Sequence, residues 1–94
     1  VAQCNGPQFE SPAEINALGN MGAEAVNMTL GPESRLISEL PIPYASIIYS
    51  ANWASGRNPR GTSITIDHNE VEKSGPLIVE NISKCIDLLI NKYT

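Results

Sequence analysis

The sequence predicts an α/β layer in which helices pack on a largely parallel sheet. Three observations carry that expectation. Strand-like and helix-like stretches alternate along the chain in the order strand, helix, strand, helix, strand, loop, helix. Tyr44 to Ala51 is almost continuously apolar and rich in β-branched and aromatic residues, as a strand covered on both faces would be. The chain has 94 residues, 41% apolar and 17% charged, which suits one ordinary domain-sized unit and excludes a disordered or fibrous class.

The elements follow in order. Val1 to Cys4 is short and apolar-leaning and stops at the turn signal Asn5-Gly6-Pro7. Ser11-Pro12-Ala13-Glu14 has the pattern of a helix start, with Ser11 as cap, Pro12 at the first helical position and Glu14 three residues after the cap. Ile15 and Leu18 give that short helix its apolar face, and Met21-Gly22 ends it. Ala23 to Met28 reads as a buried strand running into Thr29. Gly31-Pro32-Glu33 then restarts a helix with Leu36, Ile37 and Leu40 on one face, stopped by Pro41-Ile42-Pro43. The strand at Tyr44 to Ala51 empties into Asn52-Trp53-Ala54-Ser55-Gly56. A polar loop is expected over residues 56–67, and capping-box spacing at Asp67-His68-Asn69-Glu70 opens a terminal helix over about 69–93, which Gly75-Pro76 is placed to interrupt. Its apolar stripe is Ile78, Ile82, Cys85, Ile86, Leu89 and Ile90, with Glu80, Lys84, Asp87 and Lys92 outside.

Charge and cysteine content narrow the function. Six basic against ten acidic side chains give a net charge of −4 without a basic cluster, so nucleic acid is not an expected partner. No apolar run approaches the ~18 residues that span a bilayer, so no membrane is expected. Cys4 and Cys85 are too few and too far apart for a disulfide framework or a zinc knuckle, so no metal is expected and a reducing cytoplasm is the plain reading. The start at Val-Ala-Gln-Cys, strand-like from the first residue, reads as a sequence that begins in the middle of something larger.

In open α/β sheets, ligands collect beyond the carboxyl ends of the strands. Three such ends carry Phe9 and Glu10, then Met28 and Thr29, then Asn52 and Trp53. On spacing alone each residue has a second reading: Glu10 serves a helix dipole, Met28 fills a core, Thr29 caps a helix, Asn52 ties down its own turn. Taken together they suit a flat aromatic ring walled by Phe9 and Met28 and met at its edge by Glu10 and Asn52. Thr29, beside helix N-terminal amides, suits a phosphate.

Gly6-Pro7-Gln8-Phe9-Glu10-Ser11-Pro12-Ala13-Glu14-Ile15 resembles the G-P-x-F-E-T-x-A-E-I signature of the trimeric purine nucleoside phosphorylases and their methylthionucleoside relatives. Gly22-Ala23-Glu24-Ala25-Val26-Asn27-Met28-Thr29, followed by Pro32-Glu33, is similar to a second segment of that family. Tyr44 to Ser50 followed by Asn52-Trp53-Ala54-Ser55-Gly56 is similar to a third. The resemblance implies a purine nucleoside phosphorylase-like fold, a mixed sheet flanked by helices, with residues 1–94 as the C-terminal part of one phosphorylase domain. It implies phosphorolysis of a purine nucleoside, inorganic phosphate as co-substrate, no cofactor, a cytoplasmic place in purine salvage, and a trimer or hexamer.

Residue roles follow from the same resemblance. Asn52 bonds the imidazole-side nitrogen and exocyclic group of the purine as the catalytic residue, Phe9, Val26 and Met28 wall the base, and Thr29 is a phosphate ligand. Glu10 accepts from the ring N–H of a 6-oxopurine, a group that adenine lacks. His68, in a His68-Asn69-Glu70-Val71 context, reaches the sugar 5'-hydroxyl, although a lone His at a helix start also reads as a surface residue. The Asn52-Trp53-Ala54-x-Gly56 pattern is also similar to methylthioinosine phosphorylases, so ribose and methylthioribose substrates, the latter on a 5'-methylthioinosine or 5'-methylthioadenosine scaffold, both stay open. Arg57 and Arg60 sit in a loop that either closes on phosphate or is solvated. The family's N-terminal phosphate-binding residues have no counterpart here, so the missing N-terminal half is the expected partner and this chain alone is expected to be inactive. Two competing classes remain: a non-catalytic purine-binding or assembly fragment, and a hydrolytic nucleosidase, which would need an acid where Asn52 stands.

Overall fold

The computed structural model describes residues 1–60, 66 and 68–94, apart from the Glu70 side chain. Its elements are β1 (Ala2–Gln3), α1 (Pro12–Asn20), β2 (Val26–Asn27), α2 (Leu30–Ser38) and α3 (His68–Tyr93). The two strands pair in parallel, Ala2 opposite Val26 and Gln3 opposite Asn27, and α1 is the crossover between them. Helices with a small parallel sheet fit part of an α/β fold. Two compact units divide the chain, one of Val1–Ala45 with Trp53–Ile66 and the other of Ser46–Asn52 with Asp67–Thr94.

In the first unit the helix starts are set locally. Ser11 caps α1 reciprocally, since Glu14 N donates to Ser11 Oγ at 3.2 Å and Ser11 N donates to Glu14 Oε1 at 3.1 Å. Pro12 occupies the first turn, where its missing N–H removes no helical bond. Met21, Gly22 and Ala23 close the other end by donating to Ala17, Gly19 and Leu18 carbonyls at 3.1, 2.9 and 3.0 Å. Ile15 is the apolar residue buried most fully among those described, at 6% exposure, and Leu18 beside it is half-buried.

The start of α2 is built differently from the sequence expectation. Thr29 occupies the cap position without a side-chain cap bond. Asn27 Oδ1 takes that role, accepting from Thr29 N at 2.7 Å and Leu30 N at 2.6 Å. Leu36, Ile37 and Leu40, expected to form a buried face, are 67%, 36% and 54% exposed.

Tyr44 to Ala51 is a correction, because the structure forms no strand there. A strand needs a ladder partner, and the described residues offer this segment none. Tyr44 instead turns its hydroxyl to Ser34 Oγ on α2 at 2.6 Å, and Ile47, Ile48 and Tyr49 stand 46%, 44% and 56% exposed.

In the second unit, α3 runs unbroken through Gly75-Pro76. Proline inside a helix removes one backbone bond and crowds the preceding turn at a cost of about 3 kcal/mol, which 26 residues of helix absorb here. Ser74 Oγ donates to Val71 O at 2.9 Å just upstream, and Lys84 and Glu80 form an i,i+4 ion pair at 2.7 Å. Ile78 and Ile82 of the expected stripe are half-buried, while Ile86, Leu89 and Ile90 are exposed. Asp67 of the expected capping box and residues 61–65 of the expected 56–67 loop lie outside the described residues. No helix is long and apolar enough to cross a membrane among the described residues.

Removing the cap at α2 tests this local account. Asn27→Ala is expected to cost about 1 kcal/mol, and Asn27→Asp, which keeps an acceptor, to cost much less. Urea unfolding followed by circular dichroism measures both, and equal losses would contradict the capping role.

Candidate functional site

Within the first unit, the turn after β1 meets the corner after β2. Cys4 N donates to Asn27 O at 2.8 Å, extending the ladder by one bond and bringing the two chain segments out of the sheet together. Beyond it the chain turns at Gly6, whose φ of +59° lies in the left-handed region that glycine adopts without strain. A Cβ on Gly6 would stand 2.7 Å from Met28 Sδ, so the turn lies directly against the Met28 side chain, and a larger residue there would be strained and would displace Met28. This contact joins two of the segments singled out in the sequence.

Phe9, Val26 and Met28, the expected base walls, are all half-buried in this unit. Glu10 is buried at 9% exposure, one of two buried polar residues among those described, the other being Ser55 at 7%. A carboxyl group withdrawn from water needs donors, and the Cys4 thiol is the neighbour on which Glu10 acts. Burial pushes the Cys4 thiol above its ordinary pKa, and Glu10 and, by less, Glu14 push it in the same direction.

Thr29 is exposed, and its hydroxyl donates to Asn27 Oδ1 at 3.3 Å. The backbone N–H groups beside it are already used: Thr29 and Leu30 donate to Asn27, and Gly31 N donates to Gln3 Oε1 at 2.7 Å. Any phosphate role for Thr29 therefore belongs to its hydroxyl, not to the helix amides that the sequence pattern suggested.

The segment after the unpaired stretch returns to α1. Gly56 packs so that a Cβ would meet Pro12 Cβ at 3.2 Å, and Arg57 Nη2 donates to Asn16 Oδ1 at 2.8 Å. Arg57 thus lies along α1, and Arg60 N donates to Asn58 Oδ1 at 2.9 Å within its own turn.

Asn52 and His68 belong to the second unit. Asn52 is half-buried, its carbonyl accepting from Ser50 Oγ at 3.4 Å, and Ser74 Oγ reaches the neighbouring Ala51 O at 3.4 Å. His68 is exposed at the first residue of α3.

Gln3, Cys4 and Asn27 are the site residues that sequence reasoning missed. Asn27 stood two residues before the amide it binds, a local signal for an Asx turn. Gln3 and Cys4 act on residues distant in sequence, for which no local signal exists.

The chain matches the family described as Phosphorylase superfamily over residues 1–91. A protein of Methanopyrus kandleri named "Probable S-methyl-5'-thioinosine phosphorylase" is 42% identical over 84 residues, covering 89% of this chain and 33% of the relative. A Thermococcus kodakarensis protein named "Probable 6-oxopurine nucleoside phosphorylase" is 44% identical over 66 residues, covering 70% of this chain and 23% of the relative. An Anopheles gambiae protein named "S-methyl-5'-thioadenosine phosphorylase" is 34% identical over 91 residues, covering 97% and 31%. The chain therefore spans about a third or less of the length of these curated relatives. No solved structure matches it.

Thiol chemistry checks the surroundings of Glu10. Cys4 is expected to alkylate with iodoacetamide more slowly than the exposed Cys85 at pH 8.5, and Glu10→Gln is expected to speed Cys4 alone, because the thiolate is the reacting form. Mass-mapped rates that are equal at both cysteines, or unmoved by Glu10→Gln, would contradict the contact.

Proposed function

The chain belongs to the phosphorylase superfamily, and we propose that it supplies the purine-binding part of a nucleoside phosphorylase acting on 6-oxopurine nucleosides such as inosine and guanosine. In that reaction an oxygen of inorganic phosphate bonds to the anomeric carbon as the glycosidic C–N bond breaks. The bonding pair leaves with the purine, and the products are free base and sugar 1-phosphate.

The observation that carries the reading is the buried Glu10 carboxylate in the unit that also holds Phe9, Val26 and Met28. A carboxylate accepts from the ring N–H of hypoxanthine or guanine, whereas the bare ring nitrogen of adenine repels it. Phe9, Val26 and Met28 cover the faces of the base, and the Thr29 hydroxyl takes one phosphate oxygen. Asn52 donates to the imidazole-side nitrogen, where negative charge develops as the base departs; a donor set in place for that charge lowers the barrier. His68 bonds the sugar 5'-hydroxyl.

A second reading concerns the sugar. The relatives named for methylthioinosine and for 6-oxopurine nucleosides are 42% and 44% identical to this chain, which supports an S-methyl-5'-thioinosine substrate as the alternative. The relative named for methylthioadenosine is 34% identical, and Glu10 argues against its base.

The proposed partner is the remainder of a phosphorylase domain, with further copies completing a trimer or hexamer. Leu36 on α2, Leu40 just beyond it, and Leu77, Leu88 and Ile90 on α3 are each more than half exposed, and apolar surface of this kind is what a further layer of the fold would cover. Bound to nothing, the chain would act as a purine-binding fragment without turnover.

Calorimetry and kinetics test these assignments. Glu10→Ala is expected to weaken hypoxanthine binding by about tenfold to a hundredfold, the value of a hydrogen bond to a charged group; an unchanged Kd removes Glu10 from base recognition. In the chain completed by the remaining phosphorylase segments, phosphate-dependent release of hypoxanthine from inosine is expected, and a folded but inactive complex overturns the reaction. There His68→Ala is expected to lower kcat/KM for inosine about tenfold and to leave S-methyl-5'-thioinosine within about twofold. Equal losses for both substrates would contradict the 5'-hydroxyl assignment.

A further inference from the structure

We infer that Gln3 is a positioning residue for the phosphate side of the site, its carboxamide fixing the Met28–Thr29 peptide and the first turn of α2 so that the Thr29 hydroxyl is presented in one orientation. The inference rests on the proposed phosphate role of Thr29.

The carboxamide is engaged at both ends. Nε2 donates to Met28 O at 2.6 Å and Cys4 O at 3.0 Å, while Oε1 accepts from Gly31 N at 2.7 Å. Two carbonyls on one side and an N–H on the other leave a single orientation of the amide that satisfies all three. The Met28–Thr29 peptide is therefore held at its oxygen by Gln3 and at its nitrogen by Asn27, whose Oδ1 accepts from Thr29 N at 2.7 Å. Rotating that peptide would break both bonds at once.

Gly31 makes the arrangement possible. A Cβ there would stand 2.7 Å from Gln3 Cγ and 2.9 Å from Oε1, so the long side chain crosses the first turn of α2 where the glycine leaves room. The bonds span 25 and 28 residues of sequence, from β1 to the corner after β2. This link joins the segment leading to Glu10 to the one bearing Thr29. Removing it frees the corner while leaving the base-facing carboxylate in place.

The test compares Gln3→Met, Gln3→Glu and Thr29→Ala in the enzyme completed by the remaining phosphorylase segments. Gln3→Met keeps the length and removes the hydrogen bonds; it is expected to raise KM for phosphate about tenfold and to move KM for the nucleoside less than about twofold. Gln3→Glu is expected to give no rescue, because a carboxylate accepts from Gly31 N but cannot donate to Met28 O. In a Thr29→Ala background, Gln3→Met is expected to add little further change in phosphate KM. If Thr29→Ala raises phosphate KM and Gln3→Met does not, the positioning role is overturned and the phosphate reading stands. If Thr29→Ala itself changes nothing, the phosphate reading fails and the role of Gln3 with it. Amide hydrogen exchange separates positioning from folding: faster exchange confined to Gly31 and its neighbours supports the role, and lost protection throughout α1 overturns it.

Discussion

The parallel pairing of Ala2–Gln3 with Val26–Asn27 is the constraint from which the candidate site follows. It fixes which residues leave the sheet side by side. The Gly6 turn, with Phe9 and Glu10 beyond it, comes against the Met28–Thr29 corner because β1 and β2 run in the same direction and end together. A ladder of two residues per strand is too short to hold such a corner by itself. Gln3 and Asn27, opposite one another in the register, extend the pairing through their side chains into the first turn of α2. Backbone pairing sets the place of the site, and these two amides set its detail.

The same bonds explain what the sequence disclosed and what it did not. Every part of the α1 cap lies within four residues of Ser11, and the S-x-x-E spacing with Pro at the first position predicts it residue by residue. The start of α2 was legible in place but not in mechanism. Thr29 has the composition of a cap, yet Asn27 and Gln3 take the amides, and the contribution of Gln3 depends on a fold that brings residues 3 and 31 together. Tyr44 to Ala51 has the pattern of a covered strand, but pattern reports the burial a segment would need, whereas a strand also needs a neighbouring edge. Glu10 and Met28 were named for their chemistry, and their meeting followed from placing each just beyond the end of a parallel strand.

Burial gives Glu10 its place in the functional reading. A carboxylate largely withdrawn from water is costly without donors, and the Cys4 thiol is a weak one. A 6-oxopurine ring N–H is a stronger donor than a thiol, which is why the proposed base suits the Glu10 carboxyl group. Leu36 on α2 and Leu77, Leu88 and Ile90 on α3 stand exposed, in a chain that spans about a third or less of the length of its curated relatives.

On the proposed reading, the turn after β1 and the corner after β2 form one purine-binding surface. Intermolecular nuclear Overhauser effects from hypoxanthine C2 and C8 protons to the Phe9 ring and the Met28 methyl group test it most directly. Cross-peaks to both side chains from the same bound base are expected. Cross-peaks to the exposed aromatic and aliphatic residues of α3, with none to Phe9 or Met28, would contradict it.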